Sequence, residues 1–260
     1  MSWFPAFLCL WSAGTLGAIA AVPFREIGKY YFTFHGTLAL GAAAAGLAMG
    51  RPWEALAAGR APLERAAAAA ALLFGLAVFV TNAGVRAVRA DLRRDALLFP
   101  VSAGALWAAL AAFARPEPGT GQALLLAAHL WACGAALGTS LVAMSTGHWY
   151  LANARLSFDI LVRLCAMFLG ALGARAAVTA AFLAGRWTSY RALEEFDQLV
   201  LAVRVGAGIL LAGVLGFMAL SCARRRANQS ATGILYVAVV FVLIGETISM
   251  YLTLGKGRPI

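Results

Sequence analysis

His129, Arg175, Arg204 and Glu246 are the residues of this 260-residue chain whose types and positions could do chemistry together. Each interrupts an apolar run. A charge in such a place costs several kcal/mol unless it is paired, protonated or hydrated. A histidine near a carboxylate exchanges protons around neutral pH, and an arginine can orient a carbonyl oxygen. A quinol headgroup needs that set: two oxygens to hydrogen-bond, two protons to release and an apolar slot for its tail. The same four residues could instead form the proton or substrate site of a proton-coupled permease. They could also pair with one another and only fix helix register.

The elements that must position them are transmembrane helices. Hydrophobic residues make up 62% of the chain and charged residues 12%, and mean hydropathy is +0.82. That balance belongs to a polytopic membrane protein. Apolar runs of about 20 residues, each able to cross a ~30 Å hydrocarbon core, recur along the chain. Eight can be drawn, over 4–23, 30–49, 66–83, 96–114, 122–146, 159–184, 198–221 and 231–254. Lipid leaves unpaired backbone groups no partner, so the expected fold is all-α, a single membrane domain spanning 1–260.

Depth brings the four residues to one layer. From the side of the odd-numbered connections, Glu246 lies about 21 Å deep and Arg175 about 24 Å at 1.5 Å per residue. Arg204 and His129 enter from the other side, each about 10 Å in, which is near 20 Å on the same scale. Glu246 is the acidic residue far inside an apolar run, in Thr232 to Leu254 (TGILYVAVVFVLIGETISMYLTL).

A secondary polar site is expected near the odd-connection side, where His35, Asn82 and His148 lie with Arg25, Glu26, Arg86, Asp91, Arg155 and Asp159. Three histidines are too few for two bis-histidine haems. His129 and His148 are 19 residues apart, about 28 Å along one helix, so they cannot share an iron. His35 and His148 could approach from facing helices but are poorly matched in depth. Haem b is therefore not expected, nor any other intrinsic cofactor or metal. Cys9, Cys133, Cys165 and Cys222 form no C-x-x-C and read as buried apolar residues.

The connections carry the punctuation. Arg115 to Gly119 (RPEPG) is a turn signal. Gly147 to Phe158 reads as an interfacial corner with Trp149 and Tyr150 at headgroup level. Arg186 to Asp197 (RWTSYRALEEFD) suggests a short amphipathic helix on the membrane surface. Gly134-x-x-x-Gly138 and Gly170-x-x-x-Ala174 would let helices approach closely. No internal repeat is evident. The N-terminal run lacks a basic n-region and reads as a retained first helix rather than a signal peptide.

The net charge of +10 reflects arginines at segment ends, where they meet anionic headgroups, and no nucleic-acid motif accompanies it. Eleven basic residues fall on the odd-connection side and eight on the side of the termini. The excess favours cytoplasmic odd connections and periplasmic termini. No H-E-x-x-H, G-x-S-x-G or phosphate-binding glycine loop supports a hydrolase or nucleotide enzyme.

Gly245-Glu246-x-x-x-Met250-Tyr251-Leu252 resembles the last helix of the DmsC/NrfD-like membrane anchor subunits of bacterial molybdo-oxidoreductase complexes. The resemblance covers that helix and the eight-segment plan. Met250 stands where an arginine is expected in that family. The resemblance implies a bacterial inner-membrane subunit that interacts with quinone or quinol, anchors hetero-oligomeric redox partners and carries no metal centre itself. Of the family's residues, it implies a role for Glu246 alone.

Overall fold

A computed structural model describes residues 3–57, 60–87, 94–115, 119–152, 156–185 and 194–257. Among them every regular element is helical. Seven helices are long and apolar enough to cross a membrane, and an eighth, Trp3–Ile19, is apolar but shorter. The chain is a polytopic transmembrane helix bundle.

The helices are α1 (Trp3–Ile19), α2 (Phe24–Ile27), α3 (Lys29–Gly50), α4 (Pro52–Ala57), α5 (Pro62–Ala87), α6 (Arg94–Phe113), α7 (Thr120–Ala152) and α8 (Phe158–Gly185). Next comes α9 (Glu195–Val205), which runs through a π-helical segment (Gly206–Leu211) into α10 (Ala212–Arg224). The last is α11 (Asn228–Met250), ending in a second π-helical segment (Tyr251–Gly255). Several helices outrun the apolar segments that announce them. Arg86 is still helical at the end of α5, and Gly147 to Tyr150 lie within α7. A charged or aromatic side chain does not end a helix; only lost backbone partners or an unsuitable φ does. Tyr150 lies in the last turn of α7, beside the connection to α8. Its ring is buried and stacks on Phe158, and its hydroxyl donates to the Ser157 carbonyl. The amphipathic helix expected from Arg186 lies mostly outside the described residues, as do Asp91 and Arg155.

The chain forms two compact units, Met1–Gly138 and Thr139–Ile260, the division falling within α7. In the first, α1 packs on α3 and α6, and α5 packs on the same two helices. The first part of α7 joins this group through small residues. A Cβ on Gly14 would run into the Gly134 backbone, and one on Gly138 into the backbone of Gly14. Trp131 Nε1 also donates to the Ala105 carbonyl at 3.0 Å. The expected close approach at Gly134-x-x-x-Gly138 is thus made against α1.

The second small-residue pair behaves differently. Gly170 and Ala174 are exposed, and a Cβ on Gly170 would meet nothing within 4 Å. Spacing alone identifies a face that can be approached, and here no described helix of the chain approaches it. Gly170→Ala should therefore leave thermal stability unchanged or raise it by up to about 1 kcal/mol, the helix-propensity difference. Thermal unfolding in detergent would check this.

In the second unit α10 packs on α8 and α11, and α9 packs on α11. Buried residues on the α9–α10 rod include Arg204, Gly208, Ala212, Gly216 and Leu220, a step of four each time. On a regular α-helix such a stripe drifts by about 40° per step. The wider π turn at Gly206–Leu211 takes up part of that drift and keeps the stripe on the core side.

Candidate functional site: a buried arginine–glutamate–arginine cluster

Arg175, Arg204 and Glu246, expected at one depth, meet in the second unit. Arg175 lies 17 residues into α8 and Glu246 18 residues into α11, counted from the helix starts at Phe158 and Asn228. Arg204 is the penultimate residue of α9, at the edge of the π segment. All three side chains have 0% exposure.

The contacts are specific. Arg175 Nε donates to Glu246 Oε1 at 3.0 Å and Oε2 at 2.9 Å, and its terminal nitrogen reaches Oε2 at 2.8 Å. The same terminal nitrogen donates to Ser249 Oγ at 2.7 Å. Arg204 approaches Glu246 Oε1 at 3.2 Å. Both carboxylate oxygens are therefore engaged by guanidinium groups, and helices α8, α9 and α11 are tied at one point. Arginine suits this role because its planar fork meets a carboxylate with two nitrogens at once.

Glycines make the room. A Cβ on Gly208 would stand 2.5 Å from the Gly245 Cα and 3.1 Å from a terminal nitrogen of Arg204. A Cβ on Gly245 would stand 2.5 Å from the Gly208 Cα and 3.2 Å from the same nitrogen of Arg204. The absence of side chains at both positions lets α11 and the π segment touch and lets Arg204 lie across the contact. Beyond the cluster, toward the end of α11, Leu252 is buried against Leu183, Val200, Leu201, Ile248 and Tyr251. That apolar layer lies between the charges and the helix ends on its side.

Ser249, Gly208 and Gly245 are absent from the sequence-based site. Ser249 carried a usable signal, since it lies three residues after Glu246 and shares its helix face. Gly245 precedes Glu246 directly, but nothing in the sequence pairs it with Gly208.

His129, the fourth residue of the expected layer, lies on α7. It is fully buried within the first unit, whereas Arg175, Arg204 and Glu246 belong to the second. Depth along a helix says nothing about which face a residue occupies. The secondary group of His35, Asn82 and His148 divides in the same way. His35 and Asn82 belong to the first unit and His148 to the second. His35 is buried, with Nδ1 2.9 Å from the Tyr31 carbonyl and its ring against Tyr31. Asn82 is buried with its amide nitrogen beside Gly36. His148 is exposed, its Nδ1 3.1 Å from the Tyr236 hydroxyl. Among the described residues, no group of three or more His, Cys, Asp or Glu side chains could hold a metal ion.

No family model matches the chain. No curated protein and no solved structure matches it either.

Proposed function

We propose that the chain is a structural subunit of a membrane complex, an anchor or scaffold, in which the charged cluster locks helix register. The observation that carries this reading is the engagement of both Glu246 oxygens by arginine with every charged side chain fully buried. A quinol or a transported ion would have to displace a guanidinium to reach that carboxylate. A lock needs no such step. It requires only that the three helices share one arrangement, and a buried ion group specifies register well because each alternative leaves a charge unpaired.

A second reading is a quinone- or quinol-interacting subunit of a bacterial electron-transfer complex. It is favoured by the two π-helical segments next to Arg204 and shortly after Glu246. Such segments occur often at functional sites, where a helix can rearrange. The DmsC/NrfD-like resemblance of the last helix points the same way.

Purification from native membranes separates the two. The scaffold reading expects partner subunits to co-purify with stoichiometric amounts of the chain, with no quinone retained above the lipid background. Stoichiometric quinone, together with quinol-dependent activity lost in Glu246→Gln, would replace it with the second reading. A chain that purifies alone would contradict both.

A further inference from the structure

The first unit holds a basic group that the cluster does not use. Lys29 opens α3, and Arg86 is the penultimate residue of α5. Lys29 Nζ donates to the Arg86 main-chain carbonyl at 2.5 Å. Arg86 Nε donates to Asn82 Oδ1 at 3.0 Å, and a terminal nitrogen donates to Thr37 Oγ1 at 2.9 Å. The Thr37 hydroxyl itself donates to the Thr33 carbonyl at 2.7 Å.

The direction of Arg86 is unusual. Arginines near the ends of spans usually extend outward to the headgroups. Here Asn82 and Thr37 draw the guanidinium back along the groove between α3 and α5. Thr37 lies eight residues inside α3, about 12 Å from its start. Arg86 and Thr37 are nevertheless exposed, at the outer edge of that groove. Phe34 and Phe79 are exposed on the same two helices, at 57% and 58%. Among the described residues, neither Lys29 nor Arg86 meets a carboxylate.

Lys29 and Arg86 line one groove between α3 and α5, the ammonium at the Arg86 carbonyl near the span ends and the guanidinium turned inward to Thr37, beside exposed apolar surface. We propose that this groove binds the phosphate of an anionic phospholipid, with Lys29 and Arg86 as its cationic ligands and an acyl chain along Phe34 and Phe79. The groove opens at the ends of α3 and α5, the level at which lipid phosphates lie, and Arg86 carries its cationic lining inward, which fits a headgroup phosphate better than a partner's carboxylate. Anionic leaflets attract basic residues at this level. Asn82 and Thr37 set the guanidinium in place before the lipid arrives, which lowers the cost of ordering it. The proposal uses residues of the other unit and stands whether or not the scaffold reading does.

The test is native mass spectrometry of the delipidated protein titrated with phosphatidylglycerol or phosphatidylcholine. The wild type should retain phosphatidylglycerol in preference. Lys29→Gln and Arg86→Gln should each weaken that retention about fivefold, and together about twenty-five-fold. Arg86→Lys should keep most of the preference. Arg51→Gln should leave it intact, since Arg51 is paired with Glu54 at 2.9 Å. If the double variant does not fold, retention by the wild type should still fall as ionic strength rises. Unchanged retention in the double variant would overturn the proposal. So would salt-insensitive retention, competition by inorganic phosphate at equal concentration, or displacement of the lipid by an acidic partner peptide.

Discussion

Glu246→Gln should destabilise the protein by about 3–5 kcal/mol, the cost of breaking a buried ion pair by removing one partner. Glutamine keeps the shape and one acceptor oxygen but removes the charge that holds Arg175 and Arg204. Both arginines have 0% exposure. Two guanidinium groups would then face each other across a neutral amide within an apolar bundle. The helices must separate, admit water or rotate the charges toward lipid. Thermal unfolding in detergent, with the yield of folded protein from membranes, would report the loss. Ser249→Ala removes one bond to Arg175 and leaves both ion pairs, so its effect should be near 1 kcal/mol. A Glu246→Gln protein as stable as the wild type would show that the cluster contributes nothing to helix register.

Gly14→Ala should be nearly as damaging, by a different route. Its new methyl group would fall inside the van der Waals envelope of the Gly134 backbone. The obstacle is main chain, so no rotamer change relieves it and α1 must move from α7. Overpacking against movable side chains costs about 1–3 kcal/mol, and against a backbone the upper end or beyond is expected. Membrane helices associate largely through such close van der Waals contact, so the lost approach is not offset by any hydrophobic gain. The same measurement on Gly14→Ala and Gly170→Ala compares identical chemistry at a closed contact and an open face. Equal stabilities for the two would contradict the packing described for the first unit.

These contrasts show what could be read from the sequence. The spans were legible because lipid makes hydrophobic length a direct signal of a helix. Depth was legible too, since 1.5 Å per residue converts position into height. Arg175, Arg204 and Glu246 therefore met as expected. Azimuth was not legible. Apolar residues surround a membrane helix on all sides, so no polar stripe marks its inner face. Depth therefore puts His129 in one layer with the cluster without saying which face it occupies. The missing azimuth is also why Gly170-x-x-x-Ala174 and Gly134-x-x-x-Gly138 were indistinguishable before the fold was known. The Gly208–Gly245 contact is invisible in sequence for a related reason. It depends on a π turn that no residue pattern announces, although the four-residue spacing of Arg204, Gly208, Ala212, Gly216 and Leu220 is its trace.

The most direct measurement replaces the whole cluster at once. In Arg175→Met/Arg204→Met/Glu246→Leu the charges go but the volume stays. A cluster that acts only as a lock predicts a triple variant at least as stable as Glu246→Gln and close to the wild type, since apolar replacement of a buried ion group is often neutral or stabilising. It also predicts that the same partner subunits still co-purify and that their activity is kept. A folded, correctly assembled triple variant that has lost quinol-dependent or transport activity would contradict it, and would assign the cluster to chemistry.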